Sequence, residues 1–456
     1  MSSSGESLVH EATSLLRLVV SIDRFVSEHE DQFAYTEAAQ AFLKDTHKWA
    51  TEDTGRIADI TSKAAKAPDQ VESRYLPELI TLKGRWKTLH TYIKPAIDAH
   101  TLTLPAPLIK MATEHLKQIH ALAESSIVAL LTPELMYFYN TPKSAFSSSV
   151  LVEVPYSQAP GFFTNLTIYH EIGHYVYERL GQVTSAAGKP QASTNLTEAM
   201  ERAFAEKLRP ALPTARNRAW AERVLAAWTR EIFCDLFALR NLGPAFSFAL
   251  IDMLSLIGLM TEETEIAFDE EHPAPAVRFR EQLRVLKSDG WWTTVQDLQT
   301  EHISLISRLA GQDRDNYFFE FQEKRIPEFT TAFENVVPLI HEAVVAITGH
   351  CVNLAQDFAQ NRGEIEQCLA HGVVPSRLLV DDNPSWPTPI AMVNAAYCFY
   401  LSRLPELMDK LEDQDSSKPA DRQKWIQKLE SWTMKGIEDY YLLKAEQKAR
   451  VAITAP

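Results

Sequence analysis

The sequence His170-Glu171-Ile172-Gly173-His174 constrains the fold more than any other part of the chain. In an α-helix, residues four positions apart lie one turn apart on the same face, so the two imidazoles can bind one ion from one side. Glu171 is rotated by about 100° from His170, which places its carboxylate beside the ion rather than on it. There it can take a proton from a metal-bound water molecule. This stretch therefore predicts a helix that carries a catalytic zinc site.

A second apolar helix is predicted at residues 226–238, and it supplies the third ligand. Catalytic zinc usually takes three protein ligands and leaves the fourth position to water. Glu231 and Asp235 interrupt the apolar run four residues apart, on a face that would otherwise belong to the core. Buried carboxylates are costly unless they are paired or bind a metal. We therefore expect Glu231 to be the third ligand and Asp235 to accept a hydrogen bond from a ligand imidazole.

The order His170-Glu171-x-x-His174, followed by Glu231-x-x-x-Asp235, resembles the gluzincin group of zinc metallopeptidases, to which thermolysin belongs. The resemblance spans residues 146–280 and implies a zincin-like catalytic core. It implies that Glu231 is the third ligand and that Asp235 supports a ligand histidine. It also implies hydrolysis of peptide bonds, with one zinc ion per chain.

Two further residues match the gluzincin pattern by their order and type. Thermolysin-like enzymes supply a histidine and an arginine, downstream of the third ligand, to stabilise the tetrahedral oxyanion of amide hydrolysis. His272 and Arg278 are the candidates here, and with Glu171 they form the expected catalytic set. Tyr175 is another candidate for the oxyanion. A structural turn with a surface salt bridge is the alternative interpretation of His272 and Arg278.

The residues between Met136 and Tyr156 predict a small β-sheet beside the metal-binding helices. β-branched and aromatic residues favour strands at 136–139 and 149–155, and Pro155 should end the second strand or place it at an edge of the sheet. The resemblance implies that this strand is an edge strand that pairs with an extended substrate, whereas a plain sheet strand is the alternative. The loop at Gly181–Asn195 is either a flap over the cleft or an insertion without a role.

The rest of the chain predicts a mostly α, multi-helical fold. Glycine is scarce, with 15 residues in 456, and apolar residues recur at helical spacing, for example over Glu37–Ala67 and Val336–Phe358. This length allows two or three domains, each with its own core. We expect an N-terminal helical domain at 1–130, the zincin-like core at 131–290, and a C-terminal helical domain at 291–456.

Net charge and cysteine content indicate which binding partners and which cellular compartment to expect. A net charge of −15 argues against binding to nucleic acid or to an anionic membrane surface, both of which need a basic surface. The four cysteines include no Cys-x-x-Cys pair, and no secretory or transmembrane segment is predicted, so we expect a cytoplasmic protein with reduced thiols. The expected partner is a peptide or an unfolded polypeptide substrate, and the helical domains offer surfaces for a protein partner.

The motifs together favour a zinc metallopeptidase in which Glu171 is the general base. Two alternatives keep the zinc site: a catalytically silent helical interaction protein that zinc stabilises, and a zinc hydrolase that acts on a non-peptide amide. A third alternative is a chance match of the motif in a helical scaffold, a risk that every short motif carries.

Overall fold

A computed structural model of the chain confirms the mostly α fold. In the part of the chain that it describes, α-helices dominate and strands are few and short. None of the helices in that part is both long and apolar enough to cross a membrane. The described residues are 3–29, 37–66, 70, 74–102, 106–119, 122–123, 125–132, 138–140, 149–155, 161–181, 192–212, 214–260, 270–312, 320–321, 324–325, 327–351, 353–376, 387–406 and 422–454.

The chain forms two compact units, each assembled from two segments. The first comprises Met1–Ala106 and Ser125–Pro160, and the second comprises Pro107–Glu124 and Gly161–Pro456. These units are defined by contacts within the folded chain and not by independent folding. The predicted division into three domains therefore stays a prediction.

The first unit packs three long helices and a sheet around one apolar core. The helices are α1 (Ser3–His29), α2 (Glu37–Lys66) and α3 (Leu76–Leu102). Their apolar residues recur at helical spacing, and the core that they build includes the fully buried Trp86 of α3. The buried faces of the helices are therefore the ones that the sequence periodicity predicts.

The sheet of the first unit has three strands in the order β1-β3-β2. They are β1 (Ser126–Thr132), β2 (Phe138–Asn140) and β3 (Ser149–Pro155). β1 is parallel to β3 and β2 is antiparallel to it, and β3 ends at Pro155 as predicted. The edge position expected for this strand is wrong, because β3 is the middle strand and pairs on both sides. The helices that carry the predicted metal ligands belong to the second unit.

Strand β1 is an element that the sequence analysis did not predict. Its sequence, Ser-Ile-Val-Ala-Leu-Leu-Thr, is a short and continuous apolar run. Periodicity alone does not separate a buried strand from a helix segment in such a run. Pairing with β3 over its whole length decides the structure, and residues 127–131 are all buried.

The second unit is built from helices that succeed one another along the chain. They are α4 (Ala106–Gln118), α5 (Ile168–Glu178), α6 (Ala192–Ala203), α7 (Ala215–Leu242), α8 (Pro244–Leu256), α9 (Pro275–Ser288), α10 (Glu301–Ala310), α11 (Pro327–Ile347), α12 (Leu354–Ala370), α13 (Pro389–Cys398) and α14 (Arg422–Thr454). π-helical turns at Phe204–Leu208 and Phe399–Arg403 extend α6 and α13. A two-stranded ribbon joins β4 (Glu320–Phe321) and β5 (Lys324–Arg325).

Helix α7 is central to this unit, and α5, α8, α9 and α11 pack against it. Thr214 caps its start by accepting a hydrogen bond from the backbone N–H of Asn217 at 3.2 Å. Its C-terminal half is enclosed on every side, since residues 231–239 are all buried. Gly243, with φ +66°, ends the helix, and Pro244 opens α8.

Helices α11 and α12 are separate, so the single helix predicted at Val336–Phe358 is wrong. α11 ends at Ile347 and α12 begins at Leu354. The left-handed φ of 75° at Asn353 marks the break, which the apolar periodicity did not reveal. The predicted flap falls mostly on residues 182–191, which lie outside the described residues.

Asn394 of α13 fixes the corner between α7 and α8. Its side chain accepts a hydrogen bond from Ala245 N at 2.9 Å and donates to the carbonyls of Leu242 and Ile390 at 2.8 Å each. Asn394→Ala leaves these buried backbone groups without that partner. We expect the free energy of unfolding in urea to fall by about 1–3 kcal/mol.

The matched control is Asn361→Ala, because Asn361 is half-buried and bonds to Asp357 one turn earlier in the same helix, α12. We expect a smaller loss of stability there, since both of these bonds of Asn361 lie within α12 and Asp357 keeps its own bonds to Thr388. Equal losses in the two variants would contradict the role of Asn394 in the corner.

Candidate metal centre

A short turn delivers the chain into α5, the helix that carries His170, Glu171 and His174. Phe162 and Phe163 are buried, and a 3-10 turn at Thr164–Thr167 leads directly into the helix. The backbone N–H of Phe163 donates to the buried carboxylate of Glu430 in α14 at 3.0 Å. Buried phenylalanine rings and a backbone hydrogen bond to Glu430 therefore hold this turn in place immediately before His170.

Helices α5 and α7 approach each other closely at Gly173. A Cβ atom at this position would lie 2.8 Å from Cα of Cys234 and 3.0 Å from its Cβ. Glycine between the two histidines costs helix stability, and the contact explains why it stands there. The approach brings the face of α5 that bears the histidines against the face of α7 that bears Glu231.

His170, His174 and Glu231 form a group that can hold a metal ion. Each offers one ligand atom, and the three atoms lie within 4.8 Å of one another. Nε2 of His170 is 3.1 Å from Oε2 of Glu231, and Nε2 of His174 is 3.5 Å from Oε1. His170 and Glu231 are buried, and His174 is partly open to solvent. The sequence-predicted ligands are therefore brought together.

The group offers two imidazole nitrogens and one carboxylate as donors to a metal ion. Ligand atoms at roughly 2.0–2.1 Å from zinc lie roughly 3.3 Å from each other at the tetrahedral angle. Each histidine lies near this spacing from one oxygen of Glu231, His170 at 3.1 Å from Oε2 and His174 at 3.5 Å from Oε1. Two nitrogens and one oxygen are a donor set that suits zinc as well as several other divalent metals.

Asp235 contacts the other ring nitrogen of His170. Nδ1 of His170 donates to Oδ1 of Asp235 at 2.9 Å, and the carboxylate is fully buried. This is the contact that the sequence predicts. It turns Nε2 of the same ring towards Glu231.

Cys234 is a residue of the site that the sequence motifs did not reveal. Its Sγ lies 3.2 Å from Nδ1 of His174, and the thiol is fully buried. Adjacent residues of α7 therefore contact the two histidines, Asp235 at His170 and Cys234 at His174. A lone cysteine in an apolar helix gives no sequence signal of this kind, because it resembles ordinary core.

Arg278 of α9 reaches the same cluster, but through Asp235. Its Nε and Nη2 donate to the two carboxylate oxygens at 2.7 and 2.6 Å. His272 is half-buried in the turn that precedes α9, and its catalytic role stays a prediction. The ring of Tyr175 is buried, with the guanidinium carbon of Arg179 3.7 Å from its centroid.

Burial and charge set opposite pKa shifts on the two histidines. Burial alone would lower the pKa of His170, but hydrogen bonds to Asp235 and Glu231 outweigh it and raise the pKa to about 10. Burial and the neighbouring charge of His170 lower the pKa of His174 to about 3. In the metal-free protein these shifts favour a positively charged His170, protonated at both ring nitrogens, and a neutral His174.

The carboxylates stay ionised in spite of their burial. Burial would raise the pKa of Glu231, but the hydrogen bond from His170 and nearby positive charges lower it to about 2. The charge and hydrogen bonds of Arg278 likewise hold the pKa of Asp235 below its usual range against the effect of burial. Glu231 and Asp235 carry two negative charges, and Arg278 carries one positive charge. The protonated His170 supplies the second positive charge.

Glu171 and Arg230 complete the surroundings of the ligands. Glu171 is 9% exposed and directly succeeds His170 in α5, and its charge contributes, after burial, to the raised pKa of the Cys234 thiol. Nε of Arg230 lies 3.9 Å from Oε1 of Glu231 on a side chain that is 44% exposed. The sequence does not single out Arg230, because an exposed arginine next to an acid is common on helices.

Comparison with known protein families, with curated proteins and with solved structures finds no match to this chain. Any function proposed for the chain therefore rests on the geometry of the cluster and on the residues that form it.

The close approach of α5 and α7 makes Gly173 sensitive to substitution. In Gly173→Ala, the new methyl group would overlap Cys234 and force the helices apart. We expect a loss of about 1–3 kcal/mol in the free energy of unfolding of the metal-free protein, measured in denaturant. Metal affinity should fall as well, because His170 and Glu231 lie on the two separated helices.

The control is Gly363→Ala in α12, where a Cβ atom meets nothing within 4 Å. Alanine favours a helix more than glycine does, so this variant should be equally or slightly more stable. A Gly173→Ala protein as stable as Gly363→Ala would mean that the helices do not approach so closely.

Proposed function

We propose that this protein is a zinc-dependent peptidase of the gluzincin type, which hydrolyses peptide bonds in peptides or unfolded polypeptides. One observation carries the proposal: His170, His174 and Glu231 present three ligand atoms within 4.8 Å, and the buried Glu171 follows His170 in the same helix. The order of these residues and their positions on two packed helices are the features that the gluzincin resemblance implies. Zinc is the proposed ion because two imidazoles and one carboxylate are a ligand set of catalytic zinc.

The hydrogen bond between His170 and the Asp235 carboxylate favours this function. A ligand histidine of a catalytic zinc site usually donates its second N–H to a carboxylate or a carbonyl. His170 does so to Asp235 at 2.9 Å. Of the three ligand side chains, His174 is the most exposed, at 14%.

A zinc ion held by the three ligands would act as a Lewis acid and lower the pKa of a water molecule to about 7. His170, His174 and Glu231 would bind the ion and fix its orientation. Glu171 would accept the proton that the attacking water loses and return it to the leaving amine.

Metal content tests the ligand set. Elemental analysis of the purified protein should give about one zinc per chain, as three converging ligands imply. His174→Ala and Glu231→Ala should each lose it, because two ligands from one side hold zinc poorly. The control is His302→Ala, since His302 is also partly buried but contacts Asp252 at 2.8 Å rather than the cluster.

Two results would count against this ligand set. Zinc lost with His174→Ala but kept with Glu231→Ala would place the third ligand elsewhere. No stoichiometric zinc in the wild type, even after zinc is added back, would reduce the motif to a chance match.

Glu171→Gln tests catalysis apart from metal binding. Glutamine has nearly the same shape as glutamate but does not take up a proton, so zinc should remain at the wild-type level. Cleavage of an unfolded peptide library, monitored by mass spectrometry, should slow by about 10²–10⁴-fold.

The same assay separates the rival functions. A wild type that binds zinc but cleaves neither peptides nor simple amides would be a zinc-stabilised binding protein. A wild type that cleaves amides but not peptides, and depends on Glu171, would be a hydrolase of a different substrate class.

A further inference from the structure

Asp235 is the point at which three helices meet by hydrogen bonds. Its Oδ1 accepts from Nδ1 of His170 at 2.9 Å and from Nη2 of Arg278 at 2.6 Å. Its Oδ2 accepts from Nε of Arg278 at 2.7 Å and from Nε2 of Gln282 at 3.3 Å. An ionised carboxylate offers about four lone-pair sites, and all four are used here. The carboxylate is therefore held against rotation.

The orientation of Gln282 is fixed as well. The hydroxyl of Ser247 in α8 donates to Oε1 of Gln282 at 2.7 Å, so the NH₂ group of the amide faces Asp235. Ser247, Gln282 and Asp235 are all fully buried. An amide held at its oxygen in this way presents only donors to the carboxylate.

This arrangement determines which nitrogen of His170 is open to a metal. Asp235 is surrounded by donors and acts only as an acceptor, so Nδ1 of His170 must carry a hydrogen. The lone pair of the neutral ring then lies on Nε2, which is the atom 3.1 Å from Glu231. A carboxylate free to rotate would leave the ring orientation unspecified.

We propose that Arg278, with Gln282, is a positioning residue that acts through Asp235 to hold His170 ready as a metal ligand. The inference rests on the proposed metal site, and it gives Arg278 a role different from the oxyanion role that the sequence predicted. Both Nε and Nη2 are committed to Asp235, on a side chain that is only 6% exposed. A planar two-point contact of this kind orients a carboxylate in a way that a lysine does not reproduce.

The test compares zinc affinity in three arginine variants. Arg278→Met removes the contact, Arg278→Lys keeps a positive charge without the two-point contact, and Arg284→Met is the control. Arg284 lies on the same helix and bonds to Glu281 at 2.8 and 3.0 Å, not to Asp235. Zinc dissociation constants are measured by competition with a chromophoric chelator, on protein whose circular dichroism matches the wild type.

We expect Arg278→Met to bind zinc about 10–100-fold more weakly than the wild type, as is usual when an outer partner of a ligand histidine is lost. Arg278→Lys should also bind more weakly, whereas Arg284→Met should bind as the wild type does. Cobalt(II) in place of zinc should give an altered absorption spectrum in Arg278→Met, because the ligand geometry changes. A merely structural arginine would lower stability without these effects in the folded protein.

The dependence on Asp235 is tested by combining variants. In an Asp235→Asn background, Arg278→Met should cause little further loss of zinc affinity, because the path through the carboxylate is already broken. Additive losses would overturn the proposed path. If Arg278→Met does not fold, Arg278→Lys decides, and wild-type affinity in that variant would overturn the proposal.

Two other outcomes would overturn the inference in distinguishable ways. Unchanged zinc affinity with a lower kcat for peptide cleavage would place Arg278 at the substrate instead. A wild type that binds no zinc would contradict the proposed function itself, and the positioning role would fall with it.

Discussion

The burial of two carboxylates in one helix is the constraint on which the rest of the second unit depends. Glu231 and Asp235 lie in the half of α7 that is enclosed on every side, and they are 3% and 0% exposed. A buried carboxylate without partners is unstable, so the donors come from helices packed against α7. Helix α5 supplies His170 and His174, and α9 supplies Arg278. Helices α5 and α9 thus pack against α7 at the positions where its two carboxylates need hydrogen-bond donors.

Close packing and polar contacts reinforce each other at this centre. Gly173 lets α5 approach α7 until Cys234 fills the space that a side chain would take. Only at that separation do imidazole nitrogens reach the carboxylate of Glu231 at 3.1 and 3.5 Å. The polar contacts in turn fix the register of the two helices, because a shift of one residue would rotate the donors away. The site is therefore part of the core of this unit.

Most of the cluster is predictable from the sequence, because it depends on spacing within single helices. His170 with His174, and Glu231 with Asp235, are pairs four residues apart that periodicity places on one face. The contacts of Arg278 and Cys234 are not predictable in this way, since they depend on which helices pack together. The same limit explains why β1 was missed, because its pairing with β3 is a tertiary contact. The break between α11 and α12 turns on the left-handed backbone of Asn353, which periodicity does not encode.

The charges of the cluster are compatible with a bound cation. Replacing a buried ionic group with apolar residues of similar size often leaves stability unchanged or raises it, so such a group is weak as a stabilising device. Here Glu231 and Asp235 outnumber Arg278 in charge, and His170 holds a proton to compensate. A divalent cation at Nε2 of His170 would take the place of that proton and would also engage His174, which is neutral in the metal-free protein. Of the two states, the one with a bound cation is the one that uses all three ligand side chains.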